Sequence, residues 1–315
     1  MSNPATPHRR AHLKAILLAL LVTLLWSSSW VLIKIGLRGD LPAITFAGLR
    51  YSLAFLCLLP FVLANANHRN AIRRMSAGAW QQLVILGVVF YSLTQGAQFL
   101  GLAYLPAATL TLLLNFTPVF IALFSIGLAK EPASPVQWGG ILLSSAGALV
   151  YFLPLAGSSV QAVGWAAALV GVLANAASSI LGRRVNAHSG LPPILITTVS
   201  MGIGGLLLLL AGAVTQGLGA LTLRQWLIVA WLAVVNTAVA FTLWNYSLKT
   251  LTAVESGVIN SLMLPQIAIL AWVFLGEALT LRQIVGIVIV AAGTLVVQIA
   301  RFLPGSGKST AARVD

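Results

Sequence analysis

The sequence predicts an all-α integral membrane protein of ten transmembrane helices, arranged as two inverted five-helix repeats. Three observations carry that prediction. Hydrophobic residues make up 59% of the 315 positions and charged residues only 7%, where an ordinary soluble domain is roughly a quarter charged. Ten apolar runs are each long enough to cross a bilayer core, which takes about 20 helical residues. Finally, one stretch occurs twice: Pro118, Glu131, Gln137, Gly140 and Gly147 recur as Pro265, Glu277, Gln283, Gly286 and Gly293, the last four pairs at an offset of 146 and the prolines at 147. Paired, proline-interrupted segments at matching positions of two halves point to the central site of a secondary transporter.

The elements follow in order. A basic tail at 1–13 carries Arg9 and Arg10, and the first run, 14–36, continues too long and without a small-residue cleavage site to be a signal peptide. Runs at 42–64 and 80–104 come next, and Leu105-Pro106 separates the third from a fourth at 106–128, because the residue before a proline avoids helical dihedrals. The fifth run, 134–154, closes a first repeat at 14–155. A second repeat at 160–302 holds runs at 162–183, 191–212, 224–247, 252–275 and 280–302, and a basic tail follows at 303–315. Pro118 and Pro265 lie midway along apolar runs, where each removes a backbone donor and frees the carbonyl of Leu114 or Ser261. Small residues at steps of four, Ala167 to Ser179 and Gly140 to Ala148, are expected to bring helices into close contact.

Charge sets the orientation and narrows the function. The net charge of +13 is scattered through short gaps and forms no continuous basic face, so nucleic acid is not an expected partner. With the N-terminus inside, thirteen lysines and arginines fall on the inner side and four, Lys34, Arg38, Arg224 and Arg282, on the outer side. The positive-inside rule then places both termini in the cytoplasm of a multi-pass inner-membrane protein. Five spans per repeat, an odd number, invert the second copy. Cys57 is the single cysteine, and the four histidines lie in the tail or in polar gaps, so no metal site, cofactor or catalytic nucleophile is expected. Gly307-Lys308-Ser309 resembles the end of a phosphate-binding loop but lacks the earlier glycine, the strand and the helix.

The repeated proline to Gly-Glu to Gly pattern, Leu25-Trp26-Ser27, Gly48-Leu49-Arg50 and Trp244-Asn245 together resemble the EamA family of the drug/metabolite transporter superfamily. The resemblance covers about residues 14–298. It implies a carrier that moves small metabolites, commonly amino acids, outward, with helices one to four and six to nine around a cavity and the fifth and tenth peripheral. The first copy departs from the pattern, reading Ala129-Lys130-Glu131 where the second has Gly276-Glu277.

Arg50, about eight residues inside the second run, is the foremost substrate-binding candidate: an intramembrane cation faces a cavity or a partner, and a guanidinium grips a carboxylate bidentately. Its structural alternative is to snorkel outward or bind backbone carbonyls. Tyr91, Gln95 and Gln98 recur at i, i+4 and i+7, and Asn115, Asn175, Asn236, Asn260 and Gln266 lie on other runs. They supply the donors and acceptors that a cavity for amphipathic solutes needs, or else hydrogen bonds between helices. Trp26, beside serines, either stacks on substrate or packs. Glu255, with Lys249 as its partner, is the candidate coupling carboxylate, its alternative being a favourable place at a helix N-terminus. Glu131 and Glu277 flank the fifth and tenth helices and read as caps or loop residues. The function expected is export of small amphipathic metabolites such as amino acids by alternating access. A facilitative carrier or exchanger for phosphorylated, nucleotide-linked or other organic solutes is the alternative.

Overall fold

A computed structural model describes residues 5–38, 41–117, 119–121, 124, 134–152, 159–248, 250–251, 259–260 and 262–300. The described residues form helices joined by short turns: α1 (Ala5–Leu37), α2 (Ala43–Ala64), a short polar α3 (Ala66–Arg73), α4, α5 (Ala107–Leu114), α6 (Pro135–Phe152), α7 (Ser159–His188), α8 (Pro193–Thr215), α9, α10 (Met263–Leu275) and α11 (Leu281–Ala300). Two are composite. α4 runs through Ala77–Leu86, a π-helical Gly87–Gln95 and Gly96–Tyr104, and α9 through Leu223–Ala233, a π-helical Val234–Val239 and Ala240–Leu248. Six helices are long and apolar enough to cross a membrane, within α1, α2, α4, α7, α8 and α9. Shorter apolar helices occupy Ala107–Ile121, Met263–Leu275 and Leu281–Val297. The protein is a multi-pass membrane protein.

Boundaries follow local chemistry. Leu105 (φ −114°, ψ 152°) and Pro106 are both extended, so α4 and α5 are separate helices. Gln137 and Gln283, two members of the repeated pattern, have a local task. Ser134 N–H donates to Gln137 Oε1 at 2.8 Å and Gln137 N–H donates to Ser134 Oγ at 3.3 Å, while Thr280 and Gln283 make the same pair of bonds at 2.8 and 3.3 Å. Reciprocal bonds of this kind start α6 and α11. Pro265 is the third residue of α10, in the first turn, where its missing N–H is not needed within the helix. Pro118, Glu131, Lys249 and Glu255 lie outside the described residues.

The repeated glycines are contact points. A Cβ added at Gly140 would stand 2.7 Å from Gly293 O, one at Gly293 would meet Ser144 N at 2.5 Å, and one at Gly286 would meet Gly147 O at 2.9 Å. Thus α6 and α11, the fifth and tenth runs, pack chiefly on each other, backbone to backbone. The second and seventh runs do the same: a Cβ at Gly48 would meet Leu209 Cα at 2.3 Å, and one at Gly212 would meet Thr45 N at 2.5 Å. Gly293→Leu is therefore expected to lower the thermal unfolding midpoint of the detergent-purified protein sharply. Gly139→Leu, at a position with nothing within 4 Å, is expected to leave it near wild type. Equal midpoints would remove the backbone contact as the reason for these glycines.

Candidate functional site

Arg50 is only 5% exposed although it carries a charge. Its Nε donates to Thr237 Oγ1 at 3.1 Å, and its guanidinium carbon lies 5.1 Å from the Tyr51 ring centroid and 5.9 Å from that of Phe99. Nη1 and Nη2 have no hydrogen-bond partner among the described residues, so the outer fork of the guanidinium is unengaged. The snorkelling alternative does not describe this side chain. It is held inside the bundle, between aromatic faces that suit a planar cation.

Thr237 owes its position to the π-helical segment of α9. Its hydroxyl donates to Leu232 O, five residues back, at 2.8 Å. A threonine hydroxyl has one proton, so towards Arg50 it acts only as an acceptor. Thr94 makes the equivalent bond in the π-helical segment of α4, donating to Val89 O at 2.9 Å. A π turn is wider than an α turn, and this changes the reading of Tyr91, Gln95 and Gln98 as one face of a regular helix. Tyr91 and Gln95 lie within Gly87–Gln95, so the 3.6-residue spacing does not hold there. Tyr51 connects them instead, its hydroxyl donating to Gln95 Oε1 at 2.6 Å and its ring lying 5.6 Å from that of Tyr91. Gln98 is half-buried.

The other candidates divide by environment. Gln266 Oε1 accepts from Ser27 Oγ at 2.9 Å and its Nε2 donates to Thr23 Oγ1 at 3.3 Å, fastening α10 to α1. Asn236 is fully buried; its Nδ2 donates to Leu25 O and, at 3.2 Å, to Ser28 Oγ, while its Oδ1 has no partner among the described residues. Asn175 Nδ2 donates to Thr117 Oγ1 at 3.2 Å, and Asn115 Nδ2 returns to Thr111 O on its own helix at 2.9 Å. Asn260 is exposed. Trp26 packs at 5.3 Å from Phe241 and 5.2 Å from Trp244, both rings tilted.

A cavity of about 280 Å3 lies between α4, α7, α8 and α9. It is lined by Phe90, Tyr91, Phe241 and Trp244, by Ser178, Ser179, Thr197 and Ser200, and by Asn186 and Pro193 near one end of the bundle. Tyr51 touches the Arg50 guanidinium on one side and the cavity-lining Tyr91 on the other. Tyr51 thereby links Arg50 to Tyr91 and Gln95, while Trp26 lies against Phe241 and Trp244 of the same cavity wall.

The opposite end, where α4 meets α5, is crossed by hydrogen bonds between distant parts of the chain. Gly276 takes φ +72°, a left-handed conformation suited to glycine, and ends α10 so that Glu277 turns back across the bundle. Its carboxylate accepts from Ala107 N–H at 2.9 and 3.1 Å and from Ala108 N–H at 3.5 Å. Glu277 is a helix cap, but of α5 in the first half rather than of the tenth run it precedes. Lys34 Nζ donates to Leu102 O at 2.9 Å and to Leu105 O, and Arg38 Nη2 donates to Leu275 O at 3.1 Å. Anion at a helix start and cations at helix ends both follow the backbone dipoles. Lys34, Arg38, Tyr51, Phe99 and Thr237 were not singled out as site residues from the sequence. For Lys34 and Arg38 the signal available was two cations one turn apart at the end of a run.

The EamA-like transporter family profile matches residues 13–153 and again 162–299. The chain belongs to the EamA-like transporter family. That family lies within the drug/metabolite transporter superfamily, and the relatives of this chain are named as transporters. Among EamA relatives, the chain is 26% identical to the S-adenosylmethionine/S-adenosylhomocysteine transporter of Chlamydia trachomatis serovar L2, over 84% of this chain and 83% of that one. It is 26% identical to the probable terminal-alkyne amino-acid exporter of Streptantibioticus cattleyicolor, over 90% of this chain and 93% of that one. A crystal structure described only as that of a protein superposes with a TM-score of 0.63 at 20% identity, covering 91% of this chain and 98% of the other, a likeness of fold.

Proposed function

We propose that this EamA protein is a secondary carrier that exports small amphipathic metabolites such as amino acids. Its two halves, five spans each and inverted, would rock about a central site in the inner membrane with both termini in the cytoplasm. The observation that carries this reading is Arg50, a buried cation whose Nη fork has no partner among the described residues, two aromatic rings away from a cavity with no charged residue among its described lining. A substrate carboxylate pairs with that fork, and its apolar body lies against Trp26, Tyr91 and their neighbours. Gln95 and Gln98 add polar contacts. The Gly276-Glu277 end is the outer one, and its bonds hold the carrier closed to the outside while the cavity lies toward the cytoplasm.

Coupling is assigned to Glu255 as the nearest carboxylate to a span interior. The name of the chlamydial relative supports a second reading, a facilitative carrier or exchanger for other organic solutes, here of the adenosyl-sulfonium kind. Counterflow separates them. Proteoliposomes preloaded with one unlabelled amino acid and supplied outside with the labelled form are expected to accumulate label transiently. Accumulation with S-adenosylmethionine and with no amino acid would replace the first reading by the second. No accumulation with either, in vesicles holding folded protein, would overturn both.

A further inference from the structure

The cavity between α4, α7, α8 and α9 has a wall chemistry that Arg50 does not share. Four aromatic side chains, Phe90, Tyr91, Phe241 and Trp244, face it, and none of its lining residues is charged. Behind them Trp26 packs on both Phe241 and Trp244, which fixes those rings from the rear. Three of the cavity's hydroxyls turn their protons away: Ser178 and Ser179 both donate to Asn175 O, at 2.9 and 2.8 Å, and Ser200 donates to Ile196 O at 2.5 Å. Each such oxygen has spent its one proton on its own helix and offers the cavity only lone pairs. Ring faces carry negative quadrupole charge. The wall therefore combines aromatic rings with oxygen lone pairs, and a ring met at its face attracts a positive group as a lone pair does.

We propose that this chamber is a binding site for an onium cation, a substrate ammonium or sulfonium group held by cation–π contact and hydroxyl oxygens. Deepening the proposed function, and resting on it for the link to transport, the assignment places the cationic group of the substrate in the chamber. Among the described residues no carboxylate lines the chamber, and that suits a carrier. A cation–π contact is strong enough to select a cation and weak enough to release it, whereas a buried carboxylate partner would leave an uncompensated charge each time the substrate departed. The volume of about 280 Å3 admits a head group or a small amino acid and sits at the small end of ligand pockets, roughly 300 to 1,000 Å3.

The test uses the full-length protein in detergent and two probes of one shape, choline and its uncharged isostere 3,3-dimethyl-1-butanol, with binding measured by equilibrium dialysis. Wild type is expected to bind choline about tenfold more tightly than the isostere. Trp244→Leu is expected to erase that preference and Trp244→Phe to keep most of it. The phenylalanine variant separates loss of the ring face from failure to fold. Equal binding of the two probes by wild type, or a preference that survives in folded Trp244→Leu, would overturn the proposal. Competition by an amino-acid methyl ester against the N-acetyl amino acid then identifies an α-ammonium as the source, and trimethylsulfonium tests the sulfonium source. Choline selectivity without counterflow of any amino acid would sink the amino-acid reading and leave the chamber assignment standing.

Discussion

Arg50→Gln is expected to cut transport of a carboxylate-bearing substrate by roughly 10- to 150-fold at low substrate concentration, the loss of a hydrogen-bonded charge contact of about 1.5 to 3 kcal/mol. The same variant should transport the corresponding primary amide about as well as wild type does, since an amide presents no charge to the guanidinium. Arg50→Lys should recover little, because an ammonium is a point charge and cannot offer the planar fork. Thr237 supplies an independent check on the geometry. Its hydroxyl holds Nε and so leaves Nη1 and Nη2 as the presenting edge. As a positioning residue that touches no substrate, Thr237→Val should raise KM for the carboxylate several-fold with kcat little changed, and Thr237→Ser should restore it. If Arg50→Gln lowers carboxylate and amide transport alike, the side chain is part of the scaffold and the carboxylate assignment fails.

Arg50 was legible in the sequence because one charge deep in an apolar run has few physical explanations. The two-fold repeat was legible for a different reason: glycines at a fixed offset mark places where backbones touch, and Gly140, Gly147, Gly286 and Gly293 all prove to be such places. Arg50's partners were not. Thr237 looks like any threonine in an apolar run until a π-helical turn points its oxygen at a guanidinium 187 residues earlier. No single-sequence periodicity reports a π turn, and the same blindness made Tyr91, Gln95 and Gln98 read as a regular face. The amides were ranked together because each carries both a donor and an acceptor. Which of them bind other helices, as Gln266 and Asn236 do, depends on serines and carbonyls that only the packed structure supplies.

The closed end yields the second large effect, and its logic is electrostatic. Glu277 satisfies two N–H groups at the start of α5, next to Pro106, which has no side chain able to cap. Removing such a cap costs about 0.5 to 2 kcal/mol, and losing a negative charge from a helix start adds about 0.3 to 1 kcal/mol. Because the cap comes from the other half of the molecule, that cost falls on the closed arrangement and is relieved when the halves separate. Glu277→Ala is therefore expected to shift the population toward opening at this end by roughly tenfold. The readout is a cysteine at Gln98 in a background lacking Cys57, labelled by a membrane-impermeant maleimide added on the Glu277 side. Its labelling rate should rise about tenfold in Glu277→Ala, in proportion to that shift. Arg38→Ala, at an exposed residue that binds Leu275 O, should raise it far less, as expected of a charge contact screened by solvent. An unchanged rate in Glu277→Ala, with the protein still folded, would mean that the end is held by packing alone. In that case the carboxylate would serve the stability of α5 and play no part in alternating access.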